Sequence, residues 1–137
     1  MRRFTALLIA LLSVAILHAE QPHKVYCTIT GSNMATAVNG NVGRVKVDYG
    51  QERNYKDYLV DENGEHIYFE SMLAALNYMA QFGWELVTTD TKYERNTLTH
   101  NLDTVISVWI LTKTVTSEAE ITEGFMTRNM LLEGQQP

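Results

Sequence analysis

The side chains best suited to chemistry are one cysteine and the three histidines that follow residue 19, and their spacing matches no catalytic or metal-binding pattern. Cys27 lies in an alternating apolar run, whereas His23, His66 and His100 lie near the N-terminus, in a turn and in a loop. Zinc sites use histidines at i and i+4 of a helix, or nearby thiols. A Cys27 thiolate paired with a histidine needs an electropositive neighbour, which the sequence does not place there. We therefore expect no catalytic, metal or cofactor-binding residues.

Three acidic residues, Asp61, Glu62 and Glu65, surround the pair Asn63-Gly64. Their composition is similar to a calcium loop, but the spacing does not provide oxygen ligands at alternate positions with a final glutamate. A solvated acidic turn fits better. The sequence also lacks a G-x-S-x-G elbow and a phosphate-binding G-x-G-x-x-G motif.

Residues 1–19 have the pattern of a signal peptide: Arg2 and Arg3, an apolar run from Phe4 to Leu17, and a small residue, Ala19, at the expected cut. The run is shorter than a membrane span of about 20 residues. We expect cleavage after Ala19 and a periplasmic or secreted product. Cys27 is then a lone cysteine in an oxidising compartment, and it is either a buried thiol or part of a mixed disulfide or an intermolecular bridge.

Removal of the signal peptide lowers Lys+Arg from 11 to 9 against 16 Asp+Glu, which gives a net charge of −7. Such an acidic chain has no electrostatic footprint for nucleic acid or anionic lipid. We expect one α+β domain over residues 20–116, followed by a C-terminal tail, 117–137, that is partly helical or frayed.

The segment Ser71 to Val87 predicts a helix that ends at a glycine, followed by a strand. Its apolar stripe is predicted to consist of Met72, Leu73, Leu76, Met79 and Ala80. Ser71 is the expected N-cap, and Gly83 the expected left-handed residue after a helix of about 12 residues. Trp84 is expected in the core, at the start of a strand with one buried face.

Alternation of apolar and polar residues predicts further strands. One runs through Val25, Cys27 and Ile29, and another through Val45, Val47 and Tyr49, with a loop over 31–43 between them. The runs 58–60 and 67–69 flank the acidic turn, as a hairpin or a tight turn that leads into the helix. Residues 51–57 and 93–101 are expected to be polar loops. The result is a mostly antiparallel sheet of four or five strands with one amphipathic helix across a face and an optional short C-terminal helix.

The strand predicted over Val105 to Val115 is apolar on both sides, which is typical of a strand that is central in its sheet, or that is covered on its second side by the tail or another subunit. Ser117 and Glu120 after it have the spacing of a capping box. Trp109 and Leu111 share one side of the strand. Together with Tyr78 and Tyr49 they form a candidate interaction face, since aromatic side chains are frequent at interfaces. The alternative is that these residues pack against their own sheet.

Five short segments carry a resemblance: Y-C-T-I-T-G (26–31), V-D-Y-G-Q (47–51), V-D-E-N-G (60–64), A-L-N-Y-M (75–79) and G-W-E-L-V (83–87), before a final V-W-I-L-T-K (108–113). The chain to about Lys113 resembles small, uncharacterised exported proteins of Bacteroides-type bacteria. More distantly, it is similar to a domain-of-unknown-function family with a helix running into G-W-E-L-V. The resemblance implies an exported α+β domain of bacterial type and no activity.

Two hypotheses follow for function. The first is an exported noncatalytic module that binds an unknown protein or small ligand, with homodimerisation as one option. The second is a small periplasmic hydrolase or metal-dependent enzyme that uses Cys27, His66 and His100 with nearby carboxylates. The lack of a catalytic motif favours the first.

Overall fold

The computed structural model describes residues 20–34, 42–52, 56–95 and 103–134, and they form an α+β fold. The strands are β1 (His23–Met34), β2 (Gly43–Arg44), β3 (Lys46–Asp48), β4 (Leu59–Val60), β5 (Tyr68–Phe69), β6 (Glu85–Arg95), β7 (Asp103–Val115) and β8 (Met126–Thr127). The helices are α1 (Met72–Ala80), a 3₁₀ helix (Glu118–Ile121) and α2 (Arg128–Gly134).

The main sheet is antiparallel, with strand order β3-β1-β7-β6. Strand β1 lies beside β7 along its whole length, so that Cys27 is opposite Leu111 and Ile29 is opposite Trp109. Two small sheets, β2 with β5 and β4 with β8, complete the described strands. The predicted antiparallel sheet with a helix across one face is confirmed.

The core lies between one face of the main sheet and a layer made of α1 and the small sheets. Alternation places the buried side chains of β1 and β7 on this face because successive residues of a strand point to opposite sides. Its fully buried members include Ile29, Val47, Leu111 and, directly after α1, Trp84. Burial of large apolar side chains is the main stabilising contribution to such a core.

Helix α1 begins and ends as predicted but is shorter and rotated. The Ser71 hydroxyl accepts a hydrogen bond from the amide of Ala74 at 3.1 Å, and Gly83 has a positive φ of 89°. The helix has nine residues, and its buried side chains are Met72, Ala75 and Met79. The placement of Leu73 in the stripe was wrong, because Leu73 is 57% exposed. Ala80 is exposed as well.

Strand β6 differs most from its prediction, since all 11 of its residues are exposed. The pattern after Trp84 had predicted one buried face. Strand β6 is the end strand of the main sheet, and a register shift between Leu86 and Thr88 interrupts its pairing with β7. It also continues to Arg95, through part of the predicted 93–101 loop; residues 96–101 lie outside the described residues.

The predicted loop over 31–43 is partly strand, because β1 continues to Met34 and Gly43 belongs to β2. The Asn39-Gly40 turn lies outside the described residues. The hairpin at the acidic turn is confirmed: the amide of Asp61 donates to the carbonyl of Glu65 at 2.9 Å, and Val60 is bridged to His66.

The C-terminal segment packs on the same core as the rest of the domain. Phe125 is buried, and β8 pairs with β4. The prediction of a capping box at Ser117 and Glu120 was wrong, because the Ser117 side chain forms no cap hydrogen bond. Glu120 instead accepts from the hydroxyl of Thr116 at 2.5 Å, and this hydrogen bond lowers the pKa of the Glu120 carboxyl.

Candidate anion-binding site

The four residues of the predicted interaction face do not form one exposed surface. Leu111 is fully buried, and the inclusion of Leu111 is therefore corrected. Trp109, Tyr49 and Tyr78 are partly buried and pack against the core cluster. Trp109 and Leu111 are covered because the side of β7 that carries them faces the core.

Tyr49 and Tyr78 belong to a chain of aromatic contacts inside the domain. The Tyr49 ring meets Phe125 edge-on with centroids 6.1 Å apart. Tyr78 contacts Phe82 at 5.1 Å and Phe69 at 5.6 Å. Burial raises the pKa of both tyrosines, with a smaller contribution from nearby carboxylates. These contacts give both residues a packing role.

Cys27 is a free, buried thiol in the core. Burial, and secondarily the charge of Asp48, raises its pKa to about 12. A thiol held neutral in this way is a poor nucleophile, because the thiolate is the reactive form. His66 lies elsewhere, in a cavity that Cys27 does not line, and His100 lies outside the described residues. Cys27 and His66 are therefore not brought together as the enzyme hypothesis requires.

The most distinctive polar site is a surface cavity of about 300 Å³ that is lined by Arg44, Lys56, Tyr58, His66 and Arg128. The chain is acidic, yet three of its 11 lysines and arginines line this one cavity. Among the described residues that line it there is no Asp or Glu. A cavity of this composition carries a positive potential that favours an anion.

The Tyr58 ring organises the centre of the cavity. The guanidinium carbon of Arg44 lies 4.6 Å from the centroid of this ring, in cation–π contact. His66 meets the same ring edge-on, with centroids 5.6 Å apart and an interplanar angle of 85°. The Arg44 guanidinium and the His66 imidazole thus both contact one aromatic ring.

The backbone fixes the remaining members of the site. The amide of Arg128, the first residue of α2, donates to the carbonyl of Tyr58 at 3.0 Å, which places the start of α2 beside this loop. The amide of Tyr58 donates to the carbonyl of Lys56 at 3.0 Å, and Lys56 has a positive φ of 57°. One local backbone hydrogen bond and one between segments far apart in the sequence therefore position these residues.

An unpartnered polar atom lies in the same group of residues. The Nδ1 atom of His66 is buried and has no hydrogen-bond partner among the described residues. A buried polar atom without a partner costs free energy and is uncommon in native proteins. An ion or other polar group bound beside His66 would supply the missing partner.

Two arginines, a lysine and a histidine in one cavity can bind a phosphate, sulfate or carboxylate group. Arginine offers a planar fork of donors to two oxygens, and lysine adds a compact charge. The described part of the chain offers no comparable metal site: no three His, Cys, Asp or Glu side chains in it could hold a metal ion. No described helix is long and apolar enough to cross a membrane.

Sequence reasoning singled out His66 but missed its neighbours. Arg44 is exposed beside the buried Val45, as alternation along a strand requires, but that pattern alone does not show what lies opposite. Tyr58 and Arg128 meet only through the pairing of β4 with β8. The spacing of residues along the sequence does not predict this long-range contact.

Comparison with known proteins adds no identification. No protein-family model matches the chain, and no curated protein or solved structure matches it. The fold itself defines the class as a small α+β domain with a four-stranded antiparallel sheet.

Proposed function

We propose that the chain is an exported, noncatalytic binding module whose ligand carries a phosphate, sulfate or carboxylate group. The observation that supports this best is the clustering of Arg44, Lys56 and Arg128 around Tyr58 and His66 in one cavity. The anionic group occupies the cavity between the guanidinium groups of Arg44 and Arg128. The Tyr58 ring limits the movement of Arg44 and so lowers the entropy cost of binding.

The ligand is an organic anion with a flat or cyclic part next to its charged group. Tyr68 lies directly opposite Arg44 in the pairing of β2 with β5 and is 70% exposed. Directly opposite residues in a sheet have Cβ atoms about 5 Å apart, so the Tyr68 ring extends the site beyond the cavity. An exposed tyrosine beside a cationic cavity suits stacking against a sugar or an aromatic ring.

Export is the second part of the proposal and rests on the pattern of Arg2, Arg3 and the apolar run to Leu17. The mature protein begins at Glu20 in the periplasm or outside the cell. Intact mass measurement of the protein isolated from its own host would show a chain that starts at Glu20. A full-length mass, with Met1 present, would contradict this part alone.

Binding is tested by isothermal titration of the purified protein with sodium phosphate, sodium sulfate and sodium galacturonate, all at one ionic strength. We expect at least one of these anions to bind, and the strongest of the three identifies the charged group. Arg128→Gln should raise the dissociation constant for that anion roughly 10-fold or more, because a charge-assisted hydrogen bond contributes about 1.5–3 kcal/mol. The backbone bond from residue 128 to Tyr58 is retained in this variant.

The matched control is Arg95→Gln, which makes the same chemical change on β6, away from the cavity. We expect the control to bind as the unchanged protein does. Two results would overturn the proposal: no heat of binding with any of the three anions, or equal losses in Arg128→Gln and Arg95→Gln. Equal losses would indicate only a general effect of net charge.

A further inference from the structure

Strand β6 is an open edge of the main sheet. Within the described part of the chain it pairs only with β7, and both of its faces are exposed. Its middle section, Val87 to Tyr93, is rich in threonine and other residues that favour strands. An exposed edge of this length presents unpaired backbone donors and acceptors that can pair with another strand.

The backbone orientation along this edge follows from the hydrogen bonds across the sheet. The amide of Val47 donates away from β1, to Asp57, so Ile29 opposite it directs its amide to Trp109 of β7. Trp109 and, two residues away, Ser107 therefore face β1 and not β6.

Thr91 lies opposite Ser107, and its amide donates to the side chain of its neighbour Asp90 at 2.8 Å. Neighbouring residues of a strand direct their amides to opposite sides. Thr91, and with it Thr89 and Tyr93, therefore presents its amide and carbonyl to the open edge.

The charges on β6 are complementary to a second copy of the same strand. In an antiparallel pair centred on Thr91, Asp90 lies opposite the partner's Lys92, and the two-fold axis repeats this pair. Thr89 lies opposite the partner's Tyr93, and Thr88 opposite the partner's Glu94. No like charges face one another, whereas a pair centred on Asp90 would oppose two aspartates, which is destabilising.

The alternative centre at Tyr93 is less favourable for a different reason. It would place Lys92 opposite the partner's Glu94, but β6 ends at Arg95, so only the last part of the strand would overlap. Centring on Thr91 pairs the strand from Val87 to Arg95. Charged side chains on an edge strand ordinarily oppose pairing, yet at this register they attract.

We propose that β6 pairs antiparallel with β6 of a second copy of this chain, with Thr91 on the two-fold axis. The two four-stranded sheets then form one continuous eight-stranded sheet. Thr91 exchanges backbone hydrogen bonds with the partner's Thr91, in place of the bond that it now makes to Asp90. This isologous arrangement uses the same patch on both copies, as cyclic dimers do.

Charge reversal tests the register by analytical ultracentrifugation of the purified protein at low salt. Asp90→Lys alone and Lys92→Asp alone each place like charges opposite one another twice, and each should raise the dimer dissociation constant roughly tenfold or more. An equimolar mixture of the two variants should form a heterodimer, because opposite charges then face one another at both positions. The double variant should dimerise as the unchanged protein does.

A backbone test is independent of charge. Thr91→Pro removes an amide that faces the open edge and takes no part in the pairing with β7, so the monomer should fold. It should abolish the dimer, whereas the control Thr91→Val keeps both the amide and the dimer. Circular dichroism confirms the fold of each variant. A monomer at millimolar concentration in the unchanged protein would overturn the proposal, and so would dimerisation of Asp90→Lys or Thr91→Pro with unchanged affinity.

Discussion

The buried carboxylate of Asp57 accepts a hydrogen bond at 2.9 Å from the backbone amide of Asn129, which lies 72 residues further along the chain. Its other oxygen accepts from the side-chain amide of Gln51 at 2.9 Å. Asp57 is fully buried. The carboxylate therefore links the start of α2 to the segment 56–58, which contributes Lys56 and Tyr58 to the candidate anion site.

Replacement of Asp57 by Ala should destabilise the domain by about 2–3 kcal/mol, because it removes a buried acceptor from the partly buried donors on Asn129 and Gln51. Asp57→Asn keeps an oxygen for Asn129 and turns a donor toward Gln51, so roughly half of that loss is expected. Urea denaturation followed by circular dichroism measures both values. A loss below about 1 kcal/mol for the alanine variant would show that α2 is held mainly by other contacts.

The role of Asp57 shows where sequence reasoning ends. The residue was predicted to lie in a polar loop, because nothing near it in the sequence indicates burial. Its partner Asn129 comes from the predicted tail, and Phe125 from the same segment is a core residue. Contacts between residues so far apart in the sequence depend on the tertiary fold, and local periodicity does not predict them.

Features set by neighbouring residues were predicted well. The Ser71 cap, the left-handed Gly83 and the burial of Trp84 follow from local backbone and side-chain chemistry. The exposure of Leu73 was missed, because the apolar residues of a nine-residue helix are compatible with more than one choice of buried face. The anion site was missed because its cations are brought together only by tertiary pairing.

Replacement of Trp84 by Ala should destabilise the domain by about 3–5 kcal/mol, because the side chain is only 1% exposed and its removal leaves a large cavity. The matched control is Leu73→Ala on the exposed side of α1, for which we expect a loss of less than about 1 kcal/mol. Chemical denaturation measures both. Similar losses in the two variants would contradict the observed orientation of the helix.

Trp84→Phe separates packing from polarity at the same position. The indole Nε1 of Trp84 is buried and has no hydrogen-bond partner among the described residues. The phenylalanine variant loses volume but also removes this unpaired group. Its loss of stability should therefore be clearly smaller than that of Trp84→Ala, in the same denaturation experiment. Equal losses would show that volume alone decides the outcome.

Two glycines with similar backbone conformation should respond differently to alanine. Gly83 and Gly124 have φ values of 89° and 95°. A Cβ at Gly83 would meet only the flexible side chain of Lys113 at 3.5 Å, whereas at Gly124 it would overlap the ring of Phe82. Gly83→Ala should cost about 1 kcal/mol of backbone strain.

Gly124→Ala adds the overlap with the partly buried Phe82 ring to the same strain, and such overpacking should cost about 1 kcal/mol more. Thermal unfolding of both variants gives the comparison. The double variant Gly124→Ala with Phe82→Leu tests the cause, because a smaller side chain at 82 should relieve part of the excess. Equal losses for Gly83→Ala and Gly124→Ala would show that the Phe82 ring moves freely.

The stability of the domain should fall as the pH rises above about 9, through the ionisation of Cys27. The pKa of the thiol is raised from 9.0 to about 12 in the folded protein. The unfolded chain therefore loses this proton first, and the contribution of the neutral thiol is complete below pH 9 and is lost between 9 and 12. The slope approaches roughly 1.4 kcal/mol per pH unit within that window.

The matched variant is Cys27→Val, which keeps an apolar side chain of similar size in the core. Lysines and tyrosines titrate in the same range, but they do so equally in both proteins. The difference between the two unfolding free energies therefore isolates Cys27. We expect this difference to change steadily above pH 9, in favour of the variant, and to be constant below it. A constant difference throughout would mean that the Cys27 thiol ionises as readily in the folded protein as in the unfolded chain.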